Sequence, residues 1–125
     1  MDFVITGGAG FIGSHIAEQL VNTGHNVTVI DNLSNGKKEN LNKIINKIKF
    51  VNGDIRDFDL LKNTLKNTDG VFHQAALASV QESFSKEQEY RDVNVGGTEN
   101  ILKLAKEFNF KVVYASSSSI YGNPE

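Results

Sequence analysis

The fold is decided by the segment Thr6-Gly7-Gly8-Ala9-Gly10-Phe11-Ile12-Gly13, which follows a short apolar run and precedes an amphipathic one. It satisfies G-x-x-G-x-x-G through Gly7, Gly10 and Gly13, and also G-x-G-x-x-G if Gly8 is taken as the first glycine. Positions without a side chain permit a tight turn and let backbone amides approach a pyrophosphate at the positive end of a helix. Between a strand and a helix, this pattern predicts a dinucleotide site. The alternative is a glycine-rich turn with a purely structural role.

Outward from this segment, short apolar runs alternate with stretches of helical period. Residues 3–5, 26–30, 49–51, 70–73 and 111–115 are predicted to be buried strands. Four helices are predicted from these apolar stripes: Ile12, Ile16, Ala17, Leu20 and Val21; Leu41, Ile44, Ile45 and Ile48; Phe58, Leu61 and Leu65; and Ile101, Leu102, Ala105 and Phe108. We expect Asp57 to cap the third helix and the fourth to begin as early as Glu87.

Strict alternation of strands and helices predicts an α/β fold with a parallel sheet covered on both faces. Right-handed crossovers and a dinucleotide turn after the first strand indicate a Rossmann-type, doubly wound sheet of about five strands in the order 3-2-1-4-5. Residues 1–125 are expected to form one domain, since 125 residues suit a single core.

Composition excludes several classes of function. The net charge is −2, so binding to a nucleic-acid backbone is not expected. No apolar stretch exceeds four residues, and no membrane span is expected. With no cysteine and three scattered histidines, we expect neither a disulfide nor a metal site. No signal-peptide pattern is present, so a cytoplasmic location is expected.

Asp31 ends the second predicted strand, 18 residues after Gly13. A carboxylate there accepts hydrogen bonds from the adenosine ribose and repels a 2′-phosphate, which favours NAD over NADP. Lys37 and Lys38 are evidence against this, because they lie close enough in sequence to meet a 2′-phosphate. An ordinary turn residue at the end of the strand is the alternative interpretation of Asp31.

Two further segments follow predicted strands. Asp54 and Ile55 follow the third strand and could flank the adenine, while Gln74, Ala75 and Ala76 follow the fourth and offer room beside the cofactor. The carboxyl ends of parallel strands are where open α/β sheets bind ligands. The prediction of a dinucleotide site therefore rests on several segments that converge.

Six ordered motifs resemble one family. TGGAGFIGSH, DNLSNG, GDIRD, HQAA, NVGGT and YASSSSIYG are similar to motifs of the NAD-dependent epimerase/dehydratase family, extended short-chain dehydrogenases that act on nucleotide sugars. The resemblance spans the whole chain and is strongest to UDP-hexose 4-epimerases. Residues 73–80 are similar to the branch that acts on UDP-N-acetylglucosamine, although Gln81 and Glu82 replace the Pro-Arg often seen there.

The resemblance implies a role for each matching position. Gly7, Gly10 and Gly13, with Phe11 and Ile12, would hold the pyrophosphate. Asp31 and Asn32 would bind the adenosine ribose, and Asp54 and Ile55 would hold the adenine. Gln74, Ala75 and Ala76 would line the path to the nicotinamide. Ser117 would be the catalytic serine, and Ser79 would approach the sugar. Asn94 matches the Asn of the N-V-x-G-T motif, which can be structural.

The residues after Ser117 bear on the chemistry. In dehydratases of this family, the corresponding segment resembles T-D-E-V-Y-G. Its Asp and Glu serve as acid and base, at the positions where this chain has Ser118 and Ser119. Serine hydroxyls have pKa values far too high for that work, which disfavours a 4,6-dehydratase and also the decarboxylase pattern with a Glu. The resemblance therefore favours epimerisation of a UDP-hexose by transient hydride transfer at C4.

The family's base, the Tyr of Y-x-x-x-K, is missing from the sequence. Asn94, Ser118 and Glu125 stand four residues after the three tyrosines, where a Lys is needed. We therefore expect an N-terminal portion of an epimerase, with its C-terminal substrate region absent, that binds NAD without catalysis. A stand-alone NAD-binding or NAD-sensing module and an NAD(P)-dependent nucleotide-sugar reductase or dehydrogenase are the alternatives. A homodimer is possible, as in many members of the family.

Overall fold

The computed structural model describes residues 1–33, 36–74, 88 and 92–114. Strands and helices alternate along the chain, as the sequence predicts. The elements are β1 (Asp2–Thr6), α1 (Phe11–Asn22), β2 (Asn26–Asp31), two 3-10 segments (Lys38–Leu41 and Ile45–Lys47), β3 (Ile48–Asn52), α2 (Phe58–Leu65), β4 (Gly70–His73), a π-helical segment (Asp92–Gly97), α3 (Thr98–Phe108) and β5 (Lys111–Tyr114).

The five strands form one parallel sheet in the order β3-β2-β1-β4-β5. The predicted fold class and strand order are confirmed. Successive strands are added towards one edge from β1 to β3 and towards the other edge from β4 to β5, so the strand order reverses between β1 and β4. Thr6 is in register with Ile30 on one side and with His73 on the other, so the carboxyl ends of the three strands meet at one edge. That edge, at the reversal of strand order, is where such sheets bind ligands.

Both faces of the sheet are covered, and β1 shows why. Val4 packs in a cluster with Leu61 of α2 and Leu104 of α3, whereas Ile5, the next residue, packs in a second cluster with Ala17 of α1. Successive side chains of a strand point to opposite faces, so an apolar residue at each position is needed when helices lie on both sides. α1 therefore covers one face, and α2 and α3 cover the other.

Local signals set the ends of the helices on the second face. The Asp57 side chain accepts a hydrogen bond from the Leu60 amide at 3.2 Å and caps α2, as predicted. α3 ends at Asn109, which has a φ of +61° and donates its amide to the Ala105 carbonyl. Asparagine is one of the few residues that tolerates this left-handed conformation, so α3 stops there and β5 begins two residues later.

The predicted helix through Leu41, Ile44, Ile45 and Ile48 is wrong. Two short 3-10 segments occupy this stretch, and Ile48 begins β3 instead. The cause is a tertiary contact: the Asn40 side chain and the Lys37 amide both donate to the Ala9 carbonyl, at 2.8 and 3.0 Å, and tie the start of this stretch to the glycine turn. Leu41 and Ile44 are nevertheless buried, so the apolar spacing reports packing and not helical geometry.

Two residues of the predicted apolar helix faces, Leu102 and Ile12, are exposed and not buried. Leu102 is 53% exposed, and Leu104 takes the inward position on α3. Ile12 is 61% exposed because it lies in the first turn of α1, at the edge of the sheet rather than over it. The proposed start of the last helix at Glu87 falls outside the described residues, as does Ala115 at the end of the fifth strand. No helix in the part of the chain that the structure describes is long and apolar enough to span a membrane.

Candidate dinucleotide-binding site

The glycine turn between β1 and α1 is wedged between the helix and the sheet. Gly7 has a φ of +72°, which favours glycine, and its amide donates to the Ile30 carbonyl at 2.7 Å. A Cβ on Gly13 would lie 2.3 Å from the Gly7 oxygen, and one on Gly8 would lie 2.6 Å from Cγ1 of Val29. The turn therefore packs too closely for side chains at these two positions.

Gly10, at the N-terminus of α1, is less crowded than Gly8 and Gly13. A Cβ there would meet only the Gly7 oxygen, at 3.3 Å. Among the described residues, no side chain caps α1, and its first turn carries no acidic residue. The amides of Phe11 and Ile12 precede the first hydrogen bond within the helix, from the Ser14 amide to the Gly10 carbonyl. Unpaired amides and the helix dipole make this end suitable for a pyrophosphate.

Asp31 lies directly beside the glycine turn, as the sequence predicts. Its side chain is buried, with Oδ2 accepting from the Ala9 amide at 2.9 Å and Oδ1 from the Leu33 amide at 2.7 Å. Each carboxylate oxygen can accept a second hydrogen bond, which leaves capacity for ribose hydroxyls. The carboxylate is thus oriented by the backbone on both sides before any ligand binds.

The segment after β2 closes over this carboxylate. A Cβ on Gly36 would lie 2.8 Å from the Ala9 carbonyl carbon and 2.9 Å from Oδ2 of Asp31. The Lys37 amide donates to the Ala9 oxygen at 3.0 Å. Sequence reasoning missed Gly36, although the last glycine of DNLSNG was a usable signal.

Lys37 and Lys38 were the evidence against NAD. Lys38 places its Nζ 5.1 Å from the centre of the Phe50 ring on β3, and Lys37 is exposed. A cation–π contact of this kind holds the ammonium group against the ring. Lys38 is thereby directed to β3, which weakens the case for a 2′-phosphate site at this lysine.

Asn32 and Asp54, predicted for the ribose and the adenine, are brought together. Asn32 Nδ2 donates to Asp54 Oδ2 at 3.1 Å. The same carboxylate forms a two-point ion pair with Arg56, whose Nη2 and Nε donate at 2.6 and 3.0 Å. The Arg56 hydrogen bond lowers the pKa of Asp54 below its usual value, so Asp54 is an anion at neutral pH. Ile55 is buried beside it.

His73, at the end of β4, is a buried link between three elements. Its Nδ1 is hydrogen bonded to Thr6 Oγ1 at 2.6 Å and its Nε2 to Thr98 Oγ1 at 2.9 Å. Burial lowers the pKa of His73 to about 4, so the imidazole is neutral near pH 7. The Gln74 amide donates to the Thr6 carbonyl at 2.9 Å, which places the start of the predicted nicotinamide path beside the glycine turn. The contribution of Thr98 was missed, because its partner is distant in sequence.

Four predicted site residues cannot be placed. Ala75, Ala76, Ser79 and Ser117 lie outside the described residues. Within the described part of the chain, no group of three or more His, Asp and Glu side chains is arranged to hold a metal ion.

The arrangement of the glycine turn and Asp31 is the one expected of a dinucleotide site, and comparison with known proteins identifies the family. The sequence profile described as the NAD dependent epimerase/dehydratase family matches residues 3–125. The chain belongs to this family. The resemblance inferred from the six motifs is confirmed, and so is NAD as the cofactor, at the level of the family.

Relatives within the family have more than one activity. The chain is 44% identical over 124 residues to a putative UDP-glucose 4-epimerase of Methanocaldococcus jannaschii, covering 97% of this chain and 40% of that protein. It is 41% identical over 119 residues to a UDP-N-acetyl-alpha-D-glucosaminuronate decarboxylase of Bacillus cytotoxicus, covering 95% of this chain and 37% of that protein. The chain therefore spans well under half the length of these relatives.

A solved structure supports the same assignment. UDP-glucose 4-epimerase of Stenotrophomonas maltophila, crystallised with NAD and formylated UDP-arabinopyranose, superposes with a TM-score of 0.89 at 34% identity. The match covers 100% of this chain and 39% of that one. Family members thus share the five-stranded arrangement found here.

Proposed function

We propose that this chain is the NAD-binding portion of a nucleotide-sugar epimerase of the UDP-hexose 4-epimerase type. The observation that carries the proposal is the N-terminus of α1, which no side chain of the described residues caps and which lies beside the buried Asp31 carboxylate. The N-terminus of α1 attracts a pyrophosphate, and the Asp31 carboxylate accepts hydrogen bonds from ribose hydroxyls and disfavours a 2′-phosphate.

The residues present fit NAD in a defined orientation. The amides of Phe11, Ile12 and Gly13 would bind the pyrophosphate, and Gly7 and Gly10 would let it approach. Asp31 and Asn32 would bind the adenosine ribose. At the adenine end, Asp54 is an acceptor, and Ile55 contributes its backbone. Gln74, Ala75 and Ala76 would line the path toward the nicotinamide.

When bound, NAD supplies reversible hydride acceptance at the sugar C4. For the complete enzyme, we propose that Ser117 assists a Tyr beyond residue 125 in removing the proton from the 4-hydroxyl. Ser79 would contact the sugar, and the 4-keto sugar would turn over in the site before reduction on its other face. The 125-residue chain alone is expected to bind NAD without turnover, and a homodimer of the complete protein is a further proposal.

The choice of epimerisation rests on Ser118 and Ser119. Identity alone does not separate the activities, since a decarboxylase is 41% identical over its matched region. Neither serine can replace the acid and base that a dehydratase of this family uses, and epimerisation needs neither carboxylate. The proposed substrate class, a UDP-hexose, is supported separately by the similarity to UDP-glucose 4-epimerases.

Calorimetric titration of the chain with NAD and NADP tests the binding proposal. We expect measurable NAD binding, tighter than NADP, and a loss of that preference in Asp31→Asn. Asp59→Asn, the same change in the exposed first turn of α2, is the control and is expected to bind as the unaltered chain does. No binding at millimolar NAD would refute the proposal, and tighter NADP binding would refute the specificity.

The catalytic proposal needs the longest reading frame that contains this chain. Its product should interconvert UDP-hexoses without net consumption of NAD, and Ser117→Ala should slow that reaction. A requirement for stoichiometric NAD(P)H would instead indicate a reductase. Unchanged turnover in Ser117→Ala would remove Ser117 from the mechanism.

A further inference from the structure

The start of α3 packs against residues 53–57, here called the adenine loop because it contains Asp54 and Ile55. Asn100 Nδ2 donates to the Ile55 carbonyl at 3.0 Å and to the Arg56 carbonyl at 3.4 Å. One turn earlier, a Cβ on Gly97 would lie 2.3 Å from Cδ1 of Ile55. Both contacts involve Ile55, and Asn100 also reaches Arg56.

The two ends of the adenine loop are held separately. The Gly53 amide donates to the Asp31 carbonyl at 3.3 Å, which ties the start of the loop to β2. The Asp57 amide donates to the Asp54 carbonyl at 3.0 Å, and the Asp57 side chain caps α2. The middle of the loop, at Ile55 and Arg56, is the part that the Asn100 side chain holds.

We propose that Asn100 is a positioning residue that sets the preference of the site for adenine without touching the ligand. The inference rests on the proposed function, in which Asp54 and Ile55 recognise the base. Adenine offers a 6-amino donor and ring-nitrogen acceptors, so recognition requires the Asp54 carboxylate and the loop backbone at a fixed spacing. By holding the Ile55 and Arg56 carbonyls, Asn100 fixes the two peptide planes that directly follow the Ile55 α-carbon. The Asp54 side chain and the Ile55 amide directly precede these planes, so their position depends on the same anchor.

An amide side chain suits this position for a chemical reason. Its NH₂ group has two donors, enough for the two carbonyl oxygens, whereas a carboxylate of the same shape has none. Asn100→Asp is therefore not a conservative change. It would place a negative carboxylate against two carbonyl oxygens, remove both hydrogen bonds and release the loop. Asn100→Gln retains both donors on a longer stem.

The test compares NAD with nicotinamide hypoxanthine dinucleotide, in which a 6-oxo group replaces the 6-amino group of adenine. A site that binds the amino group should prefer NAD by about tenfold or more. In Asn100→Asp, we expect NAD binding to weaken about tenfold and binding of the hypoxanthine analogue to change less than about threefold. Asn100→Gln should recover part of the preference. Asn63→Asp, on the exposed face of α2, is the matched control and should leave both affinities unchanged.

Hydrogen exchange without ligand separates this inference from the proposed function. Amides of residues 54–57 should exchange faster in Asn100→Asp than in the unaltered protein, while those of β1 should not. An unaltered adenine preference, or unchanged exchange in the adenine loop, would overturn the role of Asn100. Faster exchange together with no NAD binding by the unaltered protein would show that the loop is held as described but that the proposed function, and adenine selection with it, is wrong.

Discussion

Gly13→Ala should destabilise the fold, although alanine is the better helix former. The added Cβ would lie 2.3 Å from the Gly7 oxygen, 2.9 Å from the Gly8 α-carbon and 3.0 Å from the Gly7 carbonyl carbon. All three atoms belong to the backbone, so no rotamer change can relieve the overlap. Overpacking of this kind costs about 3 kcal/mol at the upper end of its usual range. Helix propensity returns about 1 kcal/mol.

The net expectation is a loss of about 2 kcal/mol in the free energy of unfolding, or about 8 °C in Tm for a domain of this size. Urea unfolding followed by circular dichroism measures it. Gly96→Ala is the matched control, since a Cβ there has no atom within 4 Å, and it should stay within about 0.5 kcal/mol of the unaltered chain. A Gly13→Ala protein as stable as the Gly96→Ala protein would refute the close packing of α1 on the glycine turn.

Three further predictions follow from single contacts. Gly10→Ala should lower Tm by less than Gly13→Ala does, because its Cβ would meet one backbone oxygen at 3.3 Å and not at 2.3 Å. It should nevertheless weaken NAD binding at least about tenfold in calorimetry, since the methyl group would occupy the pyrophosphate position; equal binding would contradict that placement. Asp57→Ala should lower the free energy of unfolding by about 1 kcal/mol through loss of the α2 cap, and Asp59→Ala, the control in the same helix, should have a smaller effect. His73 has its pKa lowered to about 4 in the folded state, so the unfolded chain binds the extra proton between pH 6.5 and 4 and stability falls as the pH falls through that window. From pH 7 to pH 4, the unaltered protein should lose about 3 kcal/mol more than His73→Asn, as measured by urea unfolding at each pH; parallel curves would argue against a neutral, buried imidazole.

The sequence predicted the sheet because its signals are local. Each strand is a short apolar run, and Asp57 precedes its helix at the expected capping position. Helical spacing of Leu41 and Ile44 predicts a helix where 3-10 segments occur, because the contact from Asn40 that ties this stretch to Ala9 joins residues 31 positions apart. Periodicity cannot register a contact of that range.

The same distinction applies to the site. Gly7, Gly10, Gly13 and Asp31 were found because their spacing along the chain is itself the signal. Asn100 was missed because its role depends on carbonyls 44 and 45 residues earlier in the chain. Groups that would contact a ligand carry motifs, whereas groups that hold those contacts in place are recognised only from the folded arrangement.

The central position of β1 has a consequence for how the chain folds. Its partners are β2, 24 residues away, and β4, 67 residues away. The strand that precedes the glycine turn is therefore not paired on both edges until residue 73 has been made. Pairings between such distant segments slow folding, because a long loop must close before any contact rewards it. During synthesis, β1 would then keep one edge unpaired until residue 73 has been made, and a nascent chain released earlier would expose that edge.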